Sequence, residues 1–427
     1  MINIRDGILK ISLSRDFIGI LWDFSFLMVM ISITTLGDIV EHSNLIYYIS
    51  FFTFFAVSLL NYARNNYIKK TITVSIHFIW YAAFILLALF SIIWAQNTSN
   101  VLVPIQRMLQ NLIIAFGIID NVSSKRDFKR VLNIFLASCT FMCIFILVNT
   151  PITSWTKGFI GISTTGYNSN DVGFVAAMGV TVAFFMGFVV MESKFYYLIS
   201  ALCMAIVFFS SSRKAMLISI AGALLLTLFS RRGKNISLIK LFIALVLVVL
   251  VLVAIFKIPA LYNIIGVRFE TMIRFFNEDQ SADSSLDKRM YLIEMAKKFF
   301  TESPILGLGF NNFSVELAKY GGFVSYAHNN YSQVAADLGI VGIITYYWFY
   351  AYLFVKLFLQ IRKNQPYAVL AFTLIILLLI FEYGIVNYYK TNAQTILAIV
   401  YSCVCFNDYE FTRKKYLDQM RRQQSEF

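Results

Sequence analysis

The chain has 427 residues, of which 59% are hydrophobic and 14% charged, and the apolar residues occur in long blocks. This composition excludes an ordinary soluble domain and predicts a multi-span membrane protein, because each helical span needs about 20 mainly apolar residues. The formal net charge of +13 falls mostly at the ends of alternate blocks, so it indicates membrane orientation and not nucleic-acid binding.

About twelve apolar blocks are long enough to be spans. They are 17–35, 44–60, 72–95, 101–119, 131–149, 172–191, 195–210, 214–230, 236–257, 333–358, 367–386 and 391–406. Lys and Arg follow the second, fourth, eighth, tenth and last blocks, whereas the loops at 37–44 and 96–100 have neither. This alternation predicts that both termini are cytoplasmic.

The predicted fold is therefore an all-α polytopic membrane protein. Its four parts are spans 1–9 in residues 1–257, one long extracytoplasmic loop with short amphipathic helices in 258–332, spans 10–12 in 333–406 and a basic cytoplasmic tail in 407–427. The five cysteines all lie in apolar blocks without a His or Cys cluster, so they are predicted to be buried thiols.

The fourth block places Arg107 inside an apolar span, beside Gln106, Gln110 and Asn111. A charge near the bilayer centre costs about 2.5–3.5 kcal/mol on insertion scales and usually faces a partner or a cavity. One interpretation is a buried hydrogen-bonded cluster that fixes helix packing. The other is a cavity wall that contacts an anionic substrate.

Two outer segments carry polar residues at the start of a span. Asn168, Asn170 and Asp171 precede the sixth span, where they can cap the helix or bind sugar hydroxyls. Arg213 and Lys214 lie at the outer end of the eighth span, against the positive-inside trend. Either an anion at this surface or a tight turn with solvated charges explains them.

The loop at 258–332 is the only long excursion between the apolar blocks, and loops of this length are commonly functional or disordered. An amphipathic helix is predicted from Ser284 to about Pro304, with Arg289 beside its apolar stripe. The stripe consists of Leu286, Met290, Ile293, Ala296 and Phe300. Arg268 and Arg274 precede this helix, and a second short helix is predicted at 313–320.

His328, one of three histidines, lies where the loop turns into the tenth span. Asn329 follows it, and Asn330, Gln333 and Asp337 then recur at helical spacing. Such a polar stripe on an apolar helix is predicted to face the protein interior or a wet cavity.

The outer side thus combines arginines with a histidine, and has few carboxylates to neutralise them. Guanidinium groups match phosphate oxygens, and a neutral imidazole can take a proton from an attacking hydroxyl. The combination predicts glycosyl transfer from a lipid-linked sugar diphosphate. Arginine-rich outer loops also bind anionic lipid headgroups, which is the alternative for this pattern.

Four motifs in this order resemble the bacterial O-antigen polymerase and O-antigen ligase superfamily. They are Arg213 at the outer end of a span, Arg289 in S-x-x-x-R, PILGLGFNNF after the amphipathic helix, and AHNNY leading into AADLGIVGI. The resemblance implies a C-type membrane glycosyltransferase fold that works without a metal or another cofactor. It also implies that Arg213 and Arg289 bind the donor diphosphate and that His328 activates the acceptor hydroxyl.

Further substrate contacts are predicted for a second set of residues: Arg107, Lys214, Arg268, Arg274, Asn329, Asn330 and Asp337. The predicted function is polymerisation of polyprenyl-diphosphate-linked oligosaccharide repeat units on the outer face of the bacterial cytoplasmic membrane, with inversion at the anomeric carbon. The expected partners are the lipid-linked donor and acceptor and the bilayer, with a chain-length regulator and a flippase as further candidates. No nucleic-acid partner is expected.

Three other hypotheses stay open at this point. An O-antigen ligase would use the same donor and transfer finished glycan to lipid A core or another acceptor, and the motifs do not separate it from a polymerase. A polysaccharide or lipid transporter commonly has repeated halves, which this sequence lacks. A metal-dependent glycosyltransferase would use Asp38 or Glu41 of the first outer loop, where no Asp-x-Asp pair occurs.

Overall fold

The computed structural model describes most of the chain. The described residues are 2–5, 8–11, 15–36, 43–69, 74–151, 169–191, 193–230, 246, 253–277, 284–321 and 324–425. Most of the predicted span at 236–257 lies outside them, and so do Asp38 and Glu41 of the first outer loop and Asn168.

The regular structure is helical apart from a short antiparallel hairpin, in which β1 (Ile2–Arg5) pairs with β2 (Ile8–Ile11). In chain order the helices are α1 (Arg15–Ile31), α2 (Ser43–Lys69), α3 (Ile76–Phe90), α4 (Thr98–Asn121), α5 (Lys125–Asn149), α6 (Ser169–Phe185), α7 (Phe195–Phe209), α8 (Arg213–Phe229), α9 (Val267–Asn277), α10 (Ser284–Glu302), α11 (Phe313–Gly321), α12 (Asn330–Arg362), α13 (Pro366–Glu382) and α14 (Thr391–Ser425). The last predicted span and most of the basic tail thus form one continuous helix.

Within the described residues, seven helical segments are long and apolar enough to cross a membrane. They are Phe17–Thr35, Leu45–Arg64, Ile76–Ile93, Thr98–Asn121, Lys125–Asn149, Ser169–Val190 and Asn330–Arg362. The shorter apolar helices α7 and α13 coincide with two further predicted spans. The prediction of an α-helical protein with several spans is confirmed, and the count of about twelve stays a prediction.

Helix α6 is almost entirely buried and packs against α5, α7, α8 and α13. Small residues permit this close packing, as is common between helices in membranes. A Cβ at Gly179 would lie 2.9 Å from Cys203 Sγ, and one at Gly173 would lie 2.8 Å from Ala215 Cβ. The start of α6 is therefore held directly against the start of α8. The five cysteines are free thiols. Four of them are buried, as predicted, and Cys405 is partly buried.

The amphipathic helix predicted from Ser284 is α10, and its buried face differs from the predicted stripe. The buried residues of α10 are Leu292, Met295, Ala296 and Phe299. Met290 of the predicted stripe is instead 39% exposed, because α10 packs on both α11 and α12. Arg289 lies one helical turn before Leu292, so it starts the face that packs on the protein.

Candidate functional site

The segment after α10 is fastened to α12 through backbone groups. Ile340 N donates to Pro304 O at 2.9 Å beside a kink at Gly339, where φ is +60°. A Cβ at Gly339 would lie 2.3 Å from Ile305 O, and one at Gly307, where φ is +68°, would lie 2.4 Å from the backbone of α12. The glycines therefore allow two stretches of backbone to touch. We call the end of the helical bundle that contacts residues 303–329 the loop face.

A chain of side-chain hydrogen bonds runs from α12 to the residue before His328. Asp337 is fully buried and accepts from Phe313 N at 2.9 Å and from Gln333 Nε2 at 2.8 Å. Gln333 Oε1 in turn accepts from Ala327 N at 2.7 Å. The predicted interior position of Gln333 and Asp337 is confirmed. Because the Asp337 carboxylate binds the loop, it positions His328, and its contact with substrate stays a prediction.

His328 occupies a sharp turn at the start of α12. Its φ is +51°, and the side chain of the next residue, Asn329, caps the helix by accepting from Ser332 N at 3.0 Å. The imidazole is half-buried and lies on the ring of Tyr326, with 3.9 Å between the ring centroids. The ring is therefore held at the protein surface on the loop face.

The electrostatic environment keeps this imidazole neutral. Burial lowers the pKa of His328 to about 4, with further contributions from nearby cations. In decreasing order these are Arg289, Lys214, Lys288 and Lys390. At neutral pH the unprotonated nitrogen can therefore accept a proton. The same cations are placed to attract an anion to this part of the surface.

Arg213 and Lys214 begin α8 beside the start of α6. Ser212 caps α8 and donates from Oγ to Asn170 Oδ1 at 2.9 Å, so Asn170 joins the two helix starts. The Lys214 ammonium donates to Gly384 O in the connection between α13 and α14. Burial, together with the charges of Arg289 and Arg213, lowers the pKa of Lys214 to about 7.

The structure therefore brings together four of the residues predicted from the sequence. We call Arg213, Lys214, Arg289 and His328 the cationic cluster. Its members come from the start of α8, the start of α10 and the turn before α12. Cations that lie beside a neutral base are able to attract an anion and leave the base free to accept a proton.

Lys390, which was not predicted, lies next to the cationic cluster. It forms an ion pair of 2.8 Å with Asp171, at the start of α6, and its charge acts on His328. The sequence does contain a signal for Lys390. Lys390 lies in the short connection between the last two apolar blocks, on the predicted outer side, where it opposes the positive-inside trend as Arg213 and Lys214 do.

Asn330 anchors that connection through its side-chain amide. Its Nδ2 donates to Tyr347 OH at 2.9 Å and Glu382 Oε2 at 3.2 Å, and its Oδ1 accepts from Asn387 N at 2.8 Å and Tyr388 N at 3.2 Å. All four hydrogen-bonding positions of the amide are thus occupied by the chain. Asn330, like the capping Asn329, is placed as a positioning residue, and the predicted substrate contacts of both stay predictions.

The other residues predicted to contact substrate lie outside the cationic cluster. Arg107 lines a cavity of about 510 Å³ together with Asp171 and Lys390. This agrees with a cavity wall, and the contact of Arg107 with an anionic substrate stays a prediction. Arg274 is exposed and pairs with Glu270 within α9. Arg268 belongs to α9, but its side chain lies outside the described part of the structure. The described residues contain no group of three or more His, Cys, Asp and Glu side chains that could hold a metal ion.

Comparison with known proteins gives one family match. Residues 198–347 match the family model Wzy_C, described as O-antigen ligase. No curated protein matches the chain. The matched segment runs from α7 into α12 and contains the whole cationic cluster. The resemblance to the O-antigen polymerase and ligase superfamily is therefore confirmed over residues 198–347, within a multi-pass membrane protein, and implies a glycosyltransferase-like enzyme.

Proposed function

We propose that the protein polymerises polyprenyl-diphosphate-linked oligosaccharide repeat units by inverting glycosyl transfer. The observation that carries this proposal is the cationic cluster itself, in which a half-buried, neutral His328 lies among arginine and lysine side chains. The reaction takes place on the loop face, which the distribution of Lys and Arg places outside the bacterial cytoplasmic membrane, with both termini inside.

The chemistry follows from what each group can do. His328 takes the proton of an acceptor sugar hydroxyl as the oxygen of that hydroxyl attacks the anomeric carbon of the donor glycan. The bond between the anomeric carbon and the diphosphate oxygen breaks, and its electron pair leaves with the diphosphate. Arg213 and Arg289 bind the departing diphosphate through paired N–H donors, and Lys214 adds a third positive charge when it is protonated.

The cationic cluster can stabilise the transition state electrostatically. Donors that are held in place before the charge develops stabilise a transition state without reorganisation, and losing one such donor costs about 10²–10³ in kcat in known cases. Asp337 and Gln333 hold the backbone next to His328, and Ser212 holds the turn before Arg213. The chain thus fixes the backbone beside the base and beside Arg213.

The test is the full-length protein in liposomes, incubated with its lipid-linked repeat unit and a metal chelator. We expect a ladder of longer lipid-linked glycans. The sharpest variant is His328→Asn, because Asn tolerates the φ of +51° at this position but does not act as a base. A general base contributes about 10²–10⁴-fold, so we expect a loss of that size.

An exposed arginine away from the loop face provides the matched control. Arg126 lies in the first turn of α5, and Arg126→Gln is expected to leave the ladder unchanged. A His328→Asn protein that produces a normal ladder would exclude His328 as the base. A ladder that forms only with added divalent metal would exclude metal-independent transfer.

A ligase is the second candidate, and the description of the matching family model favours it. In that case the same donor site would serve a different acceptor. Repeat units alone would then give no ladder, and adding lipid A core or another acceptor would give a single transfer product. The two outcomes are read from the same gel, so the experiment separates the two activities.

A further inference from the structure

A cavity of about 510 Å³ lies next to the cationic cluster, and most of its lining residues fall outside the segment that matches the family. It is enclosed by the turn after α1, by α4, by α6, by the loop after α10, and by the connection between α13 and α14. Its lining residues include Val103, Arg107, Asp171, Asn387, Lys390 and Thr391.

Two buried hydrogen-bond donors belong to residues that line the cavity, and the described part of the chain does not use them. Asn387 and Thr391 are only 2% and 6% exposed. Asn387 Nδ2 and Thr391 Oγ1 nevertheless have no hydrogen-bond partner among the described residues. Buried polar groups in native proteins are nearly always paired, so these two donors are available to a polar ligand that reaches them from the cavity. With the guanidinium of Arg107 and the ammonium of Lys390, the donors suit an anion.

The cavity is electrostatically connected to His328 through Lys390. Lys390 lines the cavity, pairs with Asp171 at 2.8 Å, and acts through its charge on His328. A ligand that contacts Lys390 therefore lies near the base. The aromatic walls formed by Phe174 and Tyr389 suit the apolar faces of a sugar ring, and Asp171 can accept from sugar hydroxyls.

The cavity also opens at an exposed apolar surface of α4, which is one of the helices apolar and long enough to cross a membrane. Val103 lines it and is 72% exposed, and the neighbouring Leu102 is 53% exposed. Arg107 lies nine residues after Thr98 at the loop-face end of α4, so its Cα is about 13 Å below that end. Its side chain tilts back toward the helix N-terminus. An anionic headgroup with an apolar tail can therefore enter from the side.

We propose that this cavity binds the diphosphate and first sugar of a second lipid-linked glycan, the acceptor of the polymerisation. This inference rests on the proposed function and adds a second diphosphate site to it. The donor diphosphate occupies Arg213 and Arg289, and the acceptor diphosphate occupies Arg107 and Lys390. His328 then lies between two lipid-linked substrates.

The test counts bound lipids without turnover. Full-length protein in detergent is titrated with sugar-free polyprenyl diphosphate, and native mass spectrometry reports the number of bound molecules. We expect two molecules on the unchanged protein, and one on Arg107→Gln and on Arg289→Gln. Binding at the affected site is expected to weaken about tenfold or more, as for loss of a charge-assisted hydrogen bond.

Two further variants keep the result interpretable. Thr391→Val keeps the side-chain shape and is expected to weaken the same site as Arg107→Gln severalfold, even if Arg107→Gln folds poorly. Arg126→Gln is the control and should bind two molecules. Two undiminished sites in both Arg107→Gln and Thr391→Val would overturn the proposal.

A competition experiment distinguishes a site for a lipid headgroup from a site for free phosphate. Inorganic pyrophosphate at the same concentration as the lipid is expected to leave both lipid molecules bound. If pyrophosphate displaced the lipid from the Arg107 site, the assignment of that site to a lipid would be overturned. The proposed function has a separate test, and a His328→Asn protein that still polymerises would contradict it. That failure would not change the number of bound lipids, so the two results are distinguishable.

Discussion

Two segments meet on the loop face, and they are held there in different ways. The long segment 303–329 carries His328 and is fastened to α12 mainly through backbone contacts at a glycine kink. The short segment 383–390 carries Lys390 and is fastened through side chains, chiefly Asn330. The comparison indicates that the first segment depends on the absence of a Cβ, whereas the second depends on one buried amide.

The largest expected effect comes from breaking the backbone contact of the long segment. Gly339→Ala places a Cβ 2.3 Å from Ile305 O at a φ of +60°. Left-handed backbone at a non-Gly residue costs about 1–3 kcal/mol, and the clash would also break the bond from Ile340 N to Pro304 O. We expect a destabilisation of about 4 kcal/mol and no polymerisation. Thermal unfolding in detergent and the ladder assay measure the two effects.

Gly19→Ala is the control for this experiment. The nearest atom to a Cβ at Gly19 is Arg130 Nη1, at 3.8 Å, and the residue lies inside α1. Alanine is favoured over glycine in a helix by about 1 kcal/mol, so stability should not fall. Equal melting temperatures for the Gly339 and Gly19 variants would show that the long segment is not held by this contact.

The next effect concerns the side-chain anchor of the short segment. Asn330→Ala removes the acceptor for Asn387 N and Tyr388 N, which are buried. Each buried group left unpaired costs about 1–3 kcal/mol, so we expect a destabilisation of about 3 kcal/mol. Because the short segment carries Lys390, we also expect fewer bound polyprenyl diphosphate molecules at the Arg107 site. Thermal unfolding and native mass spectrometry provide the measurements.

Asn149→Ala makes a useful comparison, because Asn149 is exposed and its side chain bonds, among the described residues, to Phe145 O at 2.8 Å. Its effect should stay within about 0.5 kcal/mol, as for most surface substitutions. If Asn330→Ala were equally mild, the short segment would not depend on the amide, and the contrast between the two segments would be lost.

The long segment could be predicted from the sequence because its chemistry is local. His328, the glycines and the polar stripe of α12 lie within a few dozen residues, and helical spacing places Gln333 and Asp337 on one interior face. The buried face of α10 was displaced from its predicted position, since periodicity defines a face but not the neighbours that cover it. Met290 is exposed for that reason.

The short segment could not be predicted in the same way because its partners are distant in sequence. Lys390 pairs with Asp171 across 219 positions, and Asn330 holds Asn387 across 57. One sequence does not show such pairings. The lone lysine between two apolar blocks was the available signal, and the charge rule already applied to Arg213 and Lys214 would have found it.

The smallest expected effect is a pH shift that connects the two segments. In the free protein the pKa of His328 is lowered to about 4 by burial and by nearby cations that include Lys390. The base must be neutral, so kcat/KM is expected to fall only below about pH 4. A bound diphosphate offsets the cations and raises the pKa of His328, so kcat should begin to fall at a higher pH than kcat/KM.

Lys390→Gln sharpens this prediction because it removes one of the charges that lower the pKa of His328. The acid limb of kcat/KM should then move to higher pH, whereas Lys194→Gln, at an exposed position before α7, should leave it in place. Rates from liposomes returned to pH 7 after each acid exposure exclude irreversible inactivation. An unmoved limb in Lys390→Gln would mean that the short segment has no electrostatic influence on the base, and that the two segments act independently.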